Sequence, residues 1–208
     1  MRLEPAPTSS LETSPMSAQF VAHVLSDCLG KGTLSLKGTK RRPWLEIIRS
    51  ETEHTYLSSQ LKPLRKFSNS PIDCVRDRVE TDGFYDKERV RLHCEDLWHV
   101  YELLYPRDEK VFTRQLLDMC GMLGAVSLWL DCGQFVGRCG RIRNRYKPEE
   151  AELISAWLSD LGYDAKPVHA SETSAAVGLS NQSTTKFIAD IRPITHSTMK
   201  HRLRRPKK

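Results

Sequence analysis

The sequence predicts an α+β fold made of two pseudo-symmetric halves, each with the element order αββαββα. Two short stretches, 24–34 and 125–135, carry the same pattern about a hundred residues apart. Each stretch ends an apolar segment of helical spacing, and the same succession of strand-like and helical segments follows each of them. At 208 residues, the chain is long enough for two such repeats to share one core.

The first half is read from its periodicity and from the residues that interrupt it. Pro43 is expected at the turn of the first strand pair, where a missing N–H does least harm. Ser50 is the expected N-cap of the second helix, which should end at Pro63. The turn Asp82-Gly83 predicts a hairpin. The predicted elements are helix 19–30, strands 33–40 and 44–49, helix 51–61, strands 73–79 and 88–94, and helix 95–105.

The second half repeats this order. Its first helix should break at Gly133, and its second should start at Pro148 and stop before Gly162, the usual placement of these two residue types. Its last helix should end before Pro193. The predicted elements are helix 114–130, strands 134–136 and 141–146, helix 148–161, strands 166–170 and 175–179, and helix 184–191.

Composition sets the expected boundaries and the class of protein. The first residues are rich in Pro, Ser and Thr and lack an apolar run, which indicates a disordered leader and neither a secretory signal nor a transit peptide. No run of eighteen apolar residues exists, so no membrane partner is expected. Six cysteines without a Cys-x-x-Cys pair are typical of reduced thiols, which favours an intracellular protein, cytoplasmic or organellar, without structural zinc. The expected units are leader 1–17, first half 18–112, second half 113–198 and basic tail 199–208.

The net charge of +6 comes from the tail, whose last ten residues carry six basic side chains and no acid. We expect this tail to be a flexible arm that binds phosphates in a salt-dependent way. A localisation signal is the competing interpretation. The rest of the chain is close to neutral, so any nucleic-acid surface there depends on where the charges lie.

Basic residues alternate along three predicted strands and also follow both motifs. Alternation places each set on one face of a sheet, where arginines can track phosphates or make forked contacts to guanine. A solvated charged face is the alternative, but seven arginines expected in phase favour nucleic-acid binding. The candidate binding residues are Lys37, Lys40, Arg41, Arg42, Arg76, Arg78, Arg89, Arg91, Arg138, Arg141, Arg143, Arg145, Arg204 and Arg205.

The two repeated stretches resemble a known family motif. The first reads VLSDCLGKGTL and the second AVSLWLDCGQF. They resemble the motif that names the LAGLIDADG homing endonucleases, in which an apolar helix ends on an acid followed by glycine. Three further phrases are similar to that family in order and spacing, so that the resemblance covers roughly 18–203. These phrases lie at 102–111, 149–163 and 187–203.

The resemblance implies a monomeric pseudo-dimer. Its two motif helices would pack side by side on a pseudo-twofold axis, below two curved antiparallel sheets that form a saddle over the DNA. Small residues on one face of each helix support this packing independently, because they let two backbones approach closely. These residues are Ala22, Ser26 and Gly30 in the first helix, and Gly121, Gly124 and Ser127 in the second.

The resemblance also implies a divalent metal between the two motif acids, where it would activate water and stabilise the leaving oxygen. Here those positions are Lys31 and Cys132. A charged lysine has no lone pair to offer, and a thiol is too soft for Mg²⁺. Asp131 is expected to cap the motif end, with a role as surrogate ligand as the alternative, whereas Asp27 lies too far up its helix. Lys31 could neutralise phosphates or pair with Asp131.

The sequence therefore predicts a nucleic-acid-binding protein of this family that is degenerate as a nuclease and holds duplex DNA or structured RNA. One alternative is an active metal-dependent DNA endonuclease with displaced ligands. A second is an intron maturase or a stable component of a ribonucleoprotein. No cofactor is expected, except Mg²⁺ if some nuclease activity survives.

Overall fold

A computed structural model describes residues 17–79 and 86–206 and confirms an α+β fold with two four-stranded antiparallel sheets. The first half contains α1 (Ala18–Leu29), β1 (Thr33–Lys37), β2 (Arg42–Ser50), α2 (His54–Phe67), β3 (Asp73–Val79), β4 (Lys87–His93) and α3 (Leu97–Leu104). The second half contains α4 (Arg114–Cys132), β5 (Gly133–Val136), β6 (Cys139–Tyr146), α5 (Pro148–Asp160), β7 (Ala165–Ser171), β8 (Ser174–Leu179) and α6 (Asn181–Ile191). The leader up to residue 16, the turn Asp82-Gly83 and residues 207–208 lie outside the described part.

Both sheets have the same strand order. The first is β1-β2-β4-β3 and the second is β5-β6-β8-β7, with every neighbouring pair antiparallel. In β2, Leu45 and Ile47 point to one face and are almost fully buried beneath the helices. We call this helix-covered side the inner face and the opposite side the outer face. The repeat seen in the sequence is thus a repeat of topology.

The motif helices α1 and α4 pack against each other at the centre of the core. Gly124 makes this approach possible, because a Cβ there would lie 2.6 Å from Cys120 Cβ and 2.9 Å from Leu29 Cδ1. Gly121 has a different role from the one its spacing suggested. Its φ of 50° and ψ of −142° interrupt the helical path of α4, a conformation that glycine adopts at little cost.

Two prolines lie elsewhere than expected, since the sequence predicts Pro43 at a turn and Pro63 at the end of a helix. Pro43 is the second residue of β2 and pairs with Leu36, and the turn lies ahead of it at 38–41. Pro63 lies inside α2, which continues to Phe67. Leu64, just after this proline, is completely buried, so its burial outweighs the helical hydrogen bond that proline cannot make.

The C-terminal segment is packed against the fold. Residues Ser197–Leu203 form a 3-10 helix that buries Met199 and Leu203. Trp129 Nε1 donates to Arg202 O at 3.2 Å, and Arg202 Nε donates to Leu130 O at 3.1 Å. The expectation of a flexible arm is therefore wrong for residues 199–205, which are held by these contacts and by those of Arg205. Its apolar residues anchor it although its composition is basic.

Candidate nucleic-acid interface

The two motifs meet where α1 and α4 end, and Asp131 joins them. The Lys31 backbone N–H donates to Asp131 Oδ2 at 2.9 Å. This contact requires glycine at position 30, since a Cβ there would lie 2.1 Å from the same oxygen. Asp131 thus caps the end of the other motif. Lys31 reaches it through its backbone, and its ammonium group is left free of this carboxylate.

Arg49 closes the same junction from β2. Its Nη1 lies 2.7 Å from Asp131 Oδ1, and its Nη2 lies 3.2 Å from Asp131 Oδ2. Both side chains are only 1% exposed. Arg49 Nε donates to Gln60 Oε1 at 2.7 Å, and the guanidinium lies 4.5 Å from the centroid of the Tyr56 ring. A buried, forked ion pair therefore links the first half to the second.

Arg49 is absent from the residues predicted from the sequence, although one signal pointed to it. Arg49 follows Leu45 and Ile47 at inward-facing positions of an alternating strand. An arginine at such a position needs a buried acceptor. The partner could not be identified from the sequence, because Asp131 lies 82 residues away in the other half.

Asp27 is a second buried carboxyl at this junction. It is 6% exposed, and its Oδ1 accepts from Gln60 Nε2 at 2.6 Å. Burial raises the pKa of Asp27 to about 7, and the nearby Asp131 adds to this effect, whereas Arg49 and Gln60 oppose it. Asp27 is therefore held within a hydrogen-bonded network in which Arg49 supplies the positive charge.

The residues at the motif ends do not fit a magnesium site. Lys31 is a cation, and burial raises the pKa of Cys132 to about 11, so this side chain is a neutral thiol. Both oxygens of Asp131 are engaged by Arg49 and Lys31. Across residues 17–79 and 86–206, no cluster of three or more His, Cys, Asp or Glu side chains could hold a metal ion.

The outer face of the first sheet carries basic residues that are paired with acids. Lys37 Nζ lies 2.7 Å from Glu46 Oε2, and Arg89 Nε donates to Asp77 Oδ1 at 3.0 Å. Arg91 also reaches Asp77, at 3.4 Å. The hydrogen bond from Arg89 lowers the pKa of Asp77. Much of the positive charge on this face is therefore already compensated.

Asp77 pairs with Arg89 and lies with it on the outer face. Arg76 and Arg78 are the neighbours of Asp77 along β3, so they lie on the inner face. Arg76 Nε lies 2.9 Å from Glu88 Oε1, and Arg78 Nη2 lies 2.8 Å from Glu51 Oε1. The expectation that all the strand arginines are in phase is wrong for these two. The sequence shows the alternation within each strand but not the register between strands.

The outer face of the second sheet differs in charge. Arg141 and Arg143 lie there on β6, and Lys166 lies across from Arg141 with Gly178 between them. Among the described residues, none of these three cations forms an ion pair with a carboxylate. With its amide oriented to satisfy both groups, Gln134 accepts from Arg143 Nε at 2.8 Å. This face therefore presents uncompensated positive charge.

The remaining candidate residues lie at the edges of the sheets. Lys40 and Arg41 are exposed in the β1–β2 turn, and Arg42 is exposed at the start of β2. Arg205 Nη2 donates to Arg138 O at 3.1 Å and to Asn181 Oδ1 at 3.3 Å, which fixes the C-terminal segment beside β5 and β6. Arg204 is exposed next to it, and Arg145 lies in β6 with its side chain outside the described set.

Comparison with solved structures identifies the class of fold. No family model and no curated protein sequence matches the chain. Two-halved homing endonucleases of the LAGLIDADG class match it in structure, so the chain has the LAGLIDADG homing-endonuclease fold and the sequence-based recognition is confirmed for the fold. In the described residues, no helix is both long and apolar enough to cross a membrane.

Two particular proteins represent these matches. The homing endonuclease I-WcaI, bound to its DNA recognition sequence, has a TM-score of 0.74 at 12% identity, and the alignment covers 99% of this chain and 97% of that one. I-DmoI in complex with DNA and Ca has a TM-score of 0.55 at 18% identity, with 84% and 89% covered. I-DmoI in complex with DNA and Mn has a TM-score of 0.55 at 19% identity, with 86% and 98% covered.

Proposed function

We propose that this protein binds duplex DNA on the outer faces of its two sheets and does not cleave it. The observation that carries the proposal is the closed junction between the motifs. Arg49 occupies both oxygens of Asp131, and the positions before the final motif glycines are Lys31 and Cys132. This arrangement offers an internal cation where hydrolysis would require carboxylates for a metal.

Two observations support DNA as the ligand. The solved structures of I-WcaI and I-DmoI cited above, which share this fold, are complexes with DNA. In this chain, Arg141, Arg143 and Lys166 leave positive charge uncompensated on an open sheet face. A β-ribbon fits the major groove, and arginine on it can contact both phosphates and guanine.

The test is a binding and cleavage assay with DNA that carries the locus in which the gene resides. Purified protein is incubated with this DNA in supercoiled form and either Mg²⁺ or Mn²⁺, and binding is followed on a labelled linear duplex. We expect a retarded complex and no double-strand cut. Specific cleavage by the wild-type protein would show an active endonuclease with displaced ligands and would overturn the proposal.

A double variant, Lys31→Asp with Cys132→Asp, asks whether the scaffold can still support cleavage. We expect this variant to remain inactive, because the two added carboxylates leave Asp131 bound to Arg49. A competition between duplex DNA and structured RNA at matched salt forms the second arm. Preferential binding of RNA would replace the proposal with a maturase-like or ribonucleoprotein role.

A further inference from the structure

A cavity of 590 Å³ opens in front of the junction between the motifs. Its walls come from the loop after α1, from the ends of β2 and β6, and from the segment before α4. Three lysines from three different parts of the chain line it, namely Lys31, Lys87 and Lys110. The loop 30–33 borders the same space, and its backbone N–H groups at Gly30 and Gly32 donate to Asp27 O while that of Lys31 donates to Asp131.

The three lysines are held in place differently. Lys110 Nζ donates to Cys28 O at 2.7 Å and lies 4.9 Å from the centroid of the Phe112 ring, so it caps the negative end of α1. An ammonium group has two further N–H donors that remain available. Lys31 and Lys87 are exposed, and among the described residues neither forms an ion pair.

The acids around the cavity do not neutralise these lysines. Glu53 is the acidic residue in the cavity lining, and its Oε2 lies 3.5 Å from Arg49 Nη1. Asp131 lies behind the wall with both oxygens occupied. The space between the motif ends is therefore positive, whereas a metal site of a nuclease would be lined with carboxylates.

We propose that this cavity is a phosphate site, in which Lys31, Lys87 and Lys110 take a backbone phosphodiester of the bound nucleic acid directly and without a divalent cation. The inference rests on the proposed function for its ligand, since the phosphodiester belongs to the DNA. It goes beyond that function by assigning the motif ends a new role. The lysines would compensate the negative charge of the phosphate themselves, a role that bound metal cations would otherwise have.

DNA affinity measured in EDTA over a series of salt concentrations tests the site. We expect the double variant Lys31→Gln with Lys87→Gln to bind at least tenfold more weakly than wild type. We also expect a salt slope that is smaller by about 0.9 for each phosphate that is no longer neutralised. The matched control is Lys62→Gln with Lys66→Gln, which removes the same charge from α2, a helix on the inner side.

A cavity variant that equals its control in affinity and slope would overturn the phosphate site and leave DNA binding intact. An absolute requirement of wild-type binding for Mg²⁺ would do the same. If the control variant loses as much affinity as the cavity variant, the assay reports only the change in net charge. That result would also count against the site.

A second measurement is independent of DNA. Inorganic pyrophosphate is titrated into ¹⁵N-labelled protein, and the amide shifts of Gly30, Gly32 and Thr33 are followed. We expect saturable shifts there that disappear in the Lys31→Gln, Lys87→Gln variant and persist in the control. Failure of wild type to bind DNA would refute the proposed function, whereas absence of these shifts would refute the phosphate site.

Discussion

Asp27 illustrates how a single buried carboxyl couples stability to pH. Its pKa is raised from 3.8 to about 7, mainly by burial, so the folded state holds a proton that the unfolded state releases. The stability that this proton contributes is fully present below about pH 3.8 and is lost as the pH rises through about 7. Within this window the folded protein becomes less stable as the pH increases.

The variant Asp27→Asn should remove this dependence, because an amide remains neutral and its oxygen can still accept from Gln60 Nε2. We expect the variant to equal wild type near pH 4 and to be more stable at pH 8, by on the order of 4 kcal/mol. Urea unfolding at several pH values measures the difference. A constant difference over this range would contradict the raised pKa.

Arg49 is predicted to be the most sensitive position of the junction. The variant Arg49→Ala leaves Asp131 buried without its partner, and we expect it to lose about 3–5 kcal/mol of unfolding free energy. The control Arg78→Ala removes a pair whose side chains are mostly exposed, and a loss of no more than about 1 kcal/mol is expected. Equal losses in denaturant unfolding would disprove the buried bridge.

At the same scale, the sequence predicted some functional positions and not others. Lys31 and Cys132 could be identified because a motif is a linear pattern, and the role of Asp131 as a cap followed from its place within the motif. Arg49 required knowledge of a contact between the two halves. Arg76 and Arg78 were assigned to the wrong face because register depends on the pairing of whole strands.

Among the elements, α2 shows most clearly how burial overrides a local signal. Pro63 cannot donate the backbone hydrogen bond of its turn, yet Leu61 and Leu64 on either side of it are buried. The sequence predicted the existence and order of the elements well, since their periodicity is strong. It placed the end of α2 too early because proline was taken as a stop.

The variant Pro63→Ala should therefore stabilise the protein by about 1–3 kcal/mol, because it restores a helical donor and removes a steric clash. The control is Pro148→Ala at the first position of α5, where the N–H would have no helical partner. Thermal unfolding of the two variants gives the comparison. A Pro63→Ala protein no more stable than the Pro148→Ala protein would show that α2 is bent to suit its proline.

For the whole molecule, the two sheets have equal topology and unequal electrostatics. Glu46 and Asp77 compensate basic residues on the outer face of the first sheet. The second sheet has no such acids among the ion pairs of its described residues. The sequence shows where the charged residues lie along each strand. It does not show which sheet has its basic residues paired with acids, because that pairing depends on which strands are neighbours.

We expect the second sheet to contribute more to DNA affinity. The variant Arg141→Gln with Arg143→Gln should weaken binding more than the variant Arg89→Gln with Arg91→Gln, with the larger drop in salt slope, about 0.9 for each phosphate contact. The variant Asp77→Asn should strengthen binding, since it frees two arginines. Fluorescence anisotropy at several salt concentrations measures all three, and equal effects of the two arginine pairs would disprove the asymmetry.

The bridge from Arg49 to Asp131 also makes the two halves non-interchangeable, because each half supplies a different partner. The position that matches Asp131 in the first motif is Gly30, so a homodimer of first halves would bring together two arginines with no carboxylate at the position of Asp131. In a homodimer of second halves, two aspartates would meet without an arginine, since Asn144 follows Ile142 in β6 as Arg49 follows Ile47 in β2. Arg49 and Asp131 are thus supplied by different halves, and neither half paired with a copy of itself would form this bridge.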